Sequence, residues 1–255
     1  MADAGRAQHD AQPAFVLHSY PFRETSLVLE VFARNFGRVA LVARGARRPR
    51  SALRGVLLAF QPLLLSWAGK SELRTLHKAE WQGGLPQLKG SGLLCGFYLN
   101  ELMVKLLARD DPHETLYETY HQTLRTIGNG GDHAATLRRF EKQLLKELGY
   151  ALALDHDVAS GEAIRADHSY QYLFERGPVR STRSTGSTRS TGSNGGSDEN
   201  RLELTGQTLL DLARDDYSNP VTLQQSKALM RVLINHYLGN QTLNTRQLLK
   251  DLQQL

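Results

Sequence analysis

Seven arginines lie within a stretch of 21 residues that contains no acidic side chain. They are Arg34, Arg38, Arg44, Arg47, Arg48, Arg50 and Arg54. Guanidinium groups donate paired hydrogen bonds to phosphate oxygens and also stack on bases, so an exposed cluster of this kind favours binding to a polyanion. The alternative interpretation is an ordinary solvated face, although such faces usually mix both signs of charge.

The positive charge of the chain is concentrated in its first third. The net charge is +5. Residues 1–80 contain 12 basic and 6 acidic side chains, whereas the remaining 175 residues contain 19 basic and 20 acidic ones. The basic character is therefore a local property of the segment that contains the arginines.

Patterns that would indicate an enzyme are weak. The segment Gly69-Lys70-Ser71 lacks the first glycine of a Walker-type phosphate loop, and we interpret it as a hairpin turn. Acidic pairs of the kind that bind metal ions in nucleases all fall at predicted helix ends or loops: Asp110 with Asp111, Asp155 with Asp157, and Asp215 with Asp216. We therefore expect a protein that is not an enzyme and needs no cofactor.

Length and composition indicate a globular protein with one or two domains. The chain has 255 residues, of which 40% are hydrophobic and 22% charged, as is usual for globular proteins. Its single cysteine, Cys95, excludes an internal disulfide. Residues 1–10 lack the apolar core of a secretory signal, and no run of about 18 apolar residues is long enough to span a membrane. The expected location is the cytoplasm.

Five strands are predicted before residue 82 by short runs of β-branched and aromatic residues between turns that contain glycine. The runs are 14–18, 26–32, 38–44, 61–67 and 73–81. Five strands in about 70 residues fit an OB-fold, a Greek-key barrel that often binds oligonucleotides. From the pattern alone, this topology is one of several candidates, a small sandwich among them.

The segment between the third and fourth predicted strands, residues 45–55, contains four arginines. Burying unpaired charges is costly, so this segment must face water or a partner. Eight aromatic residues accompany it in the same third of the chain. Most are expected in the barrel core and some are candidates for stacking on bases: Phe15, Tyr20, Phe22, Phe32, Phe36, Phe60, Trp67 and Trp81.

From residue 92 the apolar period becomes helical. One helix is predicted to end at Asp110, a second to cover residues 116–127, and a third to run from an N-cap at Asp132 to Gly149.

The rest of the chain is predicted to be less regular at first. Residues 150–180 have weak periodicity, and residues 181–200 form a Ser/Thr/Gly-rich stretch that predicts a mobile linker. Helical patterns resume at Leu202 and again after Pro220.

Many short segments resemble, in the same order and spacing, the RecO family of bacterial recombination-mediator proteins. They cover nearly the whole chain apart from the first dozen residues and 181–200. The matching segments are 14–18, 24–27, 37–39, 43–47, 62–65, 98–102, 137–141, 148–150, 237–239 and 243–249.

The resemblance implies an α+β fold. We expect a five-stranded OB-fold barrel in residues 1–82, with about 12 flexible residues at its start. An all-helical domain is expected in residues 83–255, including the irregular region 150–180 and the linker 181–200.

The resemblance also implies a function in recombinational repair. Such proteins bind single- and double-stranded DNA and anneal complementary strands. With RecR they help to load RecA onto DNA covered by single-stranded DNA-binding protein, which implies an association with the nucleoid. Whether RecF is a further partner stays open. Two alternatives from other classes remain, an OB-fold protein that binds RNA and a non-enzymatic adaptor.

Docking of the acidic tail of single-stranded DNA-binding protein is a further implication of the resemblance. Such a ligand needs an apolar pocket rimmed by cations. The third predicted helix offers this combination in Arg138, Arg139, Phe140 and Lys142. Adjacent residues point about 100° apart on a helix, so only one of the two arginines is expected to rim the pocket.

This chain departs from the family in one respect. Many members carry a four-cysteine zinc site in the region that corresponds to residues 150–200, whereas this chain has only Cys95, which lies upstream. His156, Asp157 and His168 lie in the region but are loosely spaced and include no thiolate, so we expect no zinc there.

Overall fold

The computed structural model describes residues 8–181, 201–239, 241–245 and 247. These residues divide into two compact units. The first unit contains those up to Phe140 together with those after 240, and the second unit runs from Glu141 to Gly239. The first unit joins the barrel to the helices that follow it, so the boundary between the units does not fall after residue 82. The domain division expected from the sequence stays a prediction.

Five strands of the first unit form a closed barrel. In chain order the elements are β1 (Gln8–Phe22), β2 (Ser26–Ala33), β3 (Gly37–Ala43), the short helix α1 (Leu53–Val56), β4 (Leu63–Ala68) and β5 (Leu73–Trp81). The order around the barrel is β1-β2-β3-β5-β4, with β4 pairing back to β1 and with β3 parallel to β5. The predicted OB-fold and the α+β class are confirmed.

The first strand begins earlier than the sequence predicts. The sequence predicts flexibility up to about residue 12, but residues 8–12 belong to β1 and pair with β4 through Gln8↔Ala68 and Gln12↔Leu65. The expectation is wrong for these residues because their hydrogen-bonding partners lie far along the chain, beyond the reach of local pattern. Residues 1–7 lie outside the described part.

Helices α2 (Gly90–Leu106) and α3 (Glu114–Gly128) follow the barrel, and then α4 (His133–Glu147), within which the boundary between the units falls. Asp132 caps α4 as predicted, since its Oδ1 accepts the Ala134 amide at 2.8 Å. Gly149 follows α4 with φ at +86°, the left-handed conformation that ends many helices.

Aromatic side chains pack the outer face of the barrel against α3. Phe15 and Phe32 are fully buried and contact Tyr117 and Tyr120. The rings of Phe15 and Tyr120 meet edge to face, with their centroids 5.0 Å apart. These aromatics therefore belong to the core and are not available to a ligand.

The second unit contains a three-stranded antiparallel sheet of order β7-β6-β8. Its elements are β6 (Ser169–Leu173), β7 (Gly177–Arg180), β8 (Arg201–Thr205), α5 (Gly206–Ala213) and α6 (Pro220–Leu238). No helix of the described residues is long and apolar enough to cross a membrane.

The sheet corrects the expectation of an all-helical region after the barrel. Residues 150–180, expected to be irregular, contain β6 and β7, and the segment at Leu202 is a strand and not a helix. The pattern of β6 is short, with Tyr170 and Tyr172 buried on alternate positions. Its partner β8 follows residues 182–200, which fall outside the described residues. These include nearly all of the predicted mobile linker, so the linker stays a prediction.

Candidate nucleic-acid interface

Residues 44–54, which follow β3 and include the first two residues of α1, contain five arginines and are called the arginine loop below. Its backbone folds into consecutive turns. The amide of Arg48 donates to the carbonyl of Gly45 at 3.1 Å, and the amide of Ser51 donates to the carbonyl of Arg48 at 3.0 Å. Gly45 has φ at +68°, a conformation that glycine adopts without a steric penalty. The loop thus has a defined shape on which its arginines are displayed.

Four guanidinium groups of the arginine loop are exposed and unneutralised. They belong to Arg44, Arg48, Arg50 and Arg54. Within the described part of the chain, no carboxylate oxygen lies within 4.0 Å of any of them. Clustered cations without counter-charges produce a strong positive potential, which attracts a polyanion.

Arg47, the fifth arginine, attaches the loop to the hairpin between β1 and β2. Its amide donates to the carbonyl of Thr25 at 2.8 Å. Its guanidinium donates to the carbonyls of Arg23 and Glu24 at 3.4 and 3.3 Å. Because Arg47 is exposed on the surface, these bonds leave part of its fork in contact with solvent.

The two remaining arginines of the sequence cluster lie elsewhere. Arg34 is at the turn between β2 and β3, where it pairs with Glu118 at 3.2 Å. Arg38 is the second residue of β3, and Arg44 follows the end of that strand. Six residues of strand separate them by roughly 20 Å. The cluster that is continuous in sequence is therefore divided between the two ends of β3.

Arg38 is committed to a structural contact. Its Nη1 lies 2.9 Å from Oε2 of Glu30, and its side chain retains only 15% of its surface exposed. The predicted role of Arg38 as a nucleic-acid contact has no geometric support, since a half-buried and paired guanidinium presents little surface to a ligand.

Two groups near the arginine loop were not singled out by the sequence pattern. Arg23 is exposed, and its guanidinium carbon lies 5.2 Å from the ring centroid of Phe22. Its sequence neighbour Glu24 separates it from the arginine cluster. Tyr20 is 40% exposed, whereas most of the aromatics considered with it are buried or half-buried.

The four residues predicted to bind a partner's tail lie in three different environments. Arg138 and Phe140 are buried, with 8% and 0% of their surface exposed. The Nζ of Lys142 donates to the carbonyl of Leu212 at 2.7 Å and pairs with Asp215 at 2.6 Å. Arg139 is exposed. Of the two adjacent arginines, Arg139 is thus the one that reaches the surface.

A shallow groove of about 360 Å³ lies beside Arg139, between α3 and α4. Its walls consist mainly of threonines, whose methyl groups provide an apolar surface. The lining includes Thr119, Thr123, Thr126 and Thr136, with Glu118 and Arg139 at the edge. The groove therefore offers one cation, and Glu118 is paired with Arg34 as described above.

The residues considered as metal ligands are occupied by other contacts. Asp157 accepts hydrogen bonds from the amides of Ala159, Ser160 and Arg180. His156 is paired with the carboxylate of Asp155. In the described residues, no group of three or more His, Cys, Asp or Glu side chains is arranged to hold a metal ion.

Comparisons with known proteins match this chain over nearly its whole length. Residues 9–84 match the sequence family described as "Recombination protein O N terminal", and residues 88–247 match "Recombination protein O C terminal". The "DNA repair protein RecO" of Nitrosospira multiformis is 57% identical over 250 residues, 98% of each chain. That of Aromatoleum aromaticum is 54% identical over 246 residues, 96% of this chain and 97% of the relative.

Matches of this length and identity extend across both compact units. They cover the barrel and the helices together. The OB-fold alone occurs with many functions, so a match to it by itself would not identify the family. The chain therefore belongs to the RecO family, and its role lies in DNA repair and recombination.

Proposed function

We propose that this protein binds single- and double-stranded DNA and anneals complementary single strands, without catalysing a covalent reaction. The observation that carries the proposal is the arginine loop, in which four exposed guanidinium groups have no counter-charge among the described residues. Phosphates are the ligands that such forks recognise without regard to base sequence.

Annealing needs charge neutralisation more than chemistry. Two strands repel each other through their phosphates, and arginines bound to one strand lower that repulsion for the second. Counterions released from the DNA supply much of the affinity, which makes binding fall steeply with salt. The expected mechanism uses no catalytic residue and no cofactor.

The cellular reaction that this activity serves is the proposed loading of RecA, together with RecR, onto single strands covered by single-stranded DNA-binding protein. The relatives named above, each a "DNA repair protein RecO", support a role in this pathway. DNA binding would bring the protein to the nucleoid. A requirement for RecF is left to experiment.

The acidic tail of single-stranded DNA-binding protein is proposed to dock in the groove between α3 and α4. Arg139 lies at its edge and is exposed, so it is suited to a carboxylate. The methyl groups of threonines suit the apolar end of a tail. Phe140 is fully buried and is not among the residues that line the groove, so it does not contact the ligand in this arrangement.

A strand-annealing assay tests the function directly. Two complementary labelled oligonucleotides are mixed with the full chain, with and without single-stranded DNA-binding protein. We expect annealing in both conditions, inhibited by high salt. The variant in which Arg44, Arg47, Arg48 and Arg50 are all replaced by alanine should anneal slowly.

The same assay separates the alternatives. A protein that binds RNA in preference to DNA would be inhibited far more by single-stranded RNA than by DNA of the same sequence. An adaptor would neither bind nor anneal naked strands. Either result would overturn the proposal.

A further inference from the structure

An aromatic strip lies on the outer face of β1, next to the arginine loop. His18, Tyr20 and Phe22 occupy alternate positions of the strand, so their side chains share one face of the sheet. Tyr20 is 40% exposed, and His18 is exposed as well. Three aromatic side chains on the same face of a strand form a surface on which planar ligands can stack.

The register of β1 with β2 shows that this face is the outside of the barrel. Tyr20 pairs with Val28 and His18 pairs with Glu30. Leu29 and Val31, which alternate with Val28 and Glu30 along β2, belong to the barrel interior. The residues that alternate with them therefore point outward, and residues directly opposite across an antiparallel pair share a face.

The side chains of the strip lie close to one another and to a guanidinium group. The His18 and Tyr20 ring centroids are 5.9 Å apart, with their planes inclined by 33°. The Arg23 guanidinium lies over the ring of Phe22 at 5.2 Å. Guanidinium and aromatic groups in one row are the combination found where successive bases of a single strand are held.

The aromatic strip and the arginine loop lie at the same end of the barrel. Phe22 pairs with Ser26, and Leu27, the next residue, pairs with Ala43 at the end of β3. Arg44 therefore leaves the sheet beside the hairpin that carries the strip. The hydrogen bonds of Arg47 to the hairpin carbonyls, described above, hold the two features together.

We propose that Tyr20 is a stacking platform for a base of single-stranded DNA whose phosphates bind the arginine loop. This inference rests on the proposed DNA binding and adds to it a preference for unpaired bases. A duplex keeps its bases stacked on one another, so it can use the arginines but not the tyrosine.

Trp81 is the other exposed aromatic residue of the barrel that invites comparison, at 63% exposure. Its indole nitrogen donates to Oε1 of Gln61 at 3.1 Å. The edge of its six-membered ring lies near Gly83, where an added Cβ would be 3.7 Å from the indole carbons. Trp81 belongs to β5, which does not pair with β1, so it is a suitable control for Tyr20.

The experiment compares Tyr20→Leu, Tyr20→Phe and Trp81→Leu in the full chain. Three labelled probes are titrated: an oligothymidylate, an abasic phosphodiester of the same length, and a duplex. Tyr20→Leu should weaken binding of the oligothymidylate by about five- to one-hundred-fold, the range expected for losing one stacked base. Its affinity for the abasic strand and the duplex should stay within about two-fold of the parent protein, as should all three affinities of Tyr20→Phe.

Several results would overturn the stacking role. Equal loss with Tyr20→Phe and Tyr20→Leu would implicate the hydroxyl group and not the ring. Unchanged binding by Tyr20→Leu, with weakened binding by the variant that lacks four loop arginines, would remove the platform and keep the proposed function. Unchanged binding by both variants would reject the arginine loop itself.

A second measurement uses the parent protein and so does not depend on the folding of a variant. Photocrosslinking to an oligonucleotide that contains 5-iodouracil should attach the strand to the peptide that contains Tyr20. Attachment to the peptide of Trp81 and not to that of Tyr20 would contradict the proposal.

Discussion

The carboxylate of Glu30 is shared by two arginines on the outer face of the barrel. Arg38 Nη1 lies 2.9 Å from Oε2, and Arg109 donates to Oε1. Arg38 also donates through Nε to the carbonyl of Leu107, at the end of α2, at 3.0 Å. An arginine that belongs to the basic cluster in sequence therefore joins β2, β3 and α2 in the structure.

Replacing Glu30 with glutamine is expected to destabilise the protein by about 1–3 kcal/mol, because it leaves the half-buried guanidinium of Arg38 without its counter-charge and removes the ion pair of the exposed Arg109. Urea unfolding of the full chain measures this effect. Arg48→Ala is the control, and its unfolding free energy should stay within about 0.5 kcal/mol of the parent. Equal stability of Glu30→Gln and the parent would show that the pair is only a surface contact.

The variant in which Arg44, Arg47, Arg48 and Arg50 are replaced by alanine should bind unrelated DNA sequences with equally reduced affinity. The dependence of log affinity on log salt should flatten by about 0.7 for each lost contact to a single strand. Fluorescence anisotropy at several salt concentrations measures both quantities. Lys227→Ala with Arg231→Ala, two exposed cations of α6, is the control. An unchanged slope would identify the loop as a solvated face.

Gly37→Ala is expected to destabilise the first unit strongly. Gly37 has φ at +63°, and an added Cβ would lie 1.8 Å from the carbonyl oxygen of Asp111. Left-handed strain alone costs about 1–2 kcal/mol, and the clash requires the loop between α2 and α3 to move. Gly130, with φ at +79° and open space around it, provides the control. Thermal unfolding should rank Gly37→Ala well below Gly130→Ala, and equal midpoints would contradict the close approach.

Asp157 should make the stability of the second unit depend on pH. Burial acts to raise its pKa, but hydrogen bonds from the amides of Arg180, Ala159 and Ser160 outweigh burial and hold the pKa below its ordinary value. A depressed pKa contributes stability that is present above the unfolded value, about 3.9, and is lost as the pH falls through the lower folded value.

Asp157→Asn is accordingly expected to cost about 1–3 kcal/mol at pH 7, with a smaller difference from the parent below about pH 4. Urea unfolding at the two pH values tests this. A metal chelator should leave the unfolding midpoint at pH 7 unchanged. A large effect of the chelator would mean that a metal ion, and not this carboxylate, organises residues 155–180.

Arg139→Glu should weaken binding of the C-terminal peptide of single-stranded DNA-binding protein by about 1–3 kcal/mol. Annealing of naked DNA should stay close to normal, because the groove is separate from the arginine loop. Lys146→Glu, an exposed residue of the same helix, changes the charge equally and is the control. If both reversals have equal effects, the attraction is a general charge effect and the docking site lies elsewhere.

Local signals in the sequence predicted most of the helices and the barrel strands. Asp132 and Gly149 bound α4, and Pro220 and Gly239 bound α6, because caps and breakers act on backbone groups within one turn. The pattern at Leu202 predicts a helix, whereas the segment is a strand, because its hydrogen-bonding partners belong to β6, far away in the sequence.

The cluster of arginines without neighbouring acids can be identified from the sequence alone. Which of these arginines face outward depends on the folded arrangement of the strands and helices. Arg38 meets Glu30 across a strand pair and is withdrawn from the surface, whereas Arg23 and Tyr20 come to lie beside the arginine loop. The exposure and pairing of a charge depend on groups that approach through folding, and the spacing of residues along the chain does not report them.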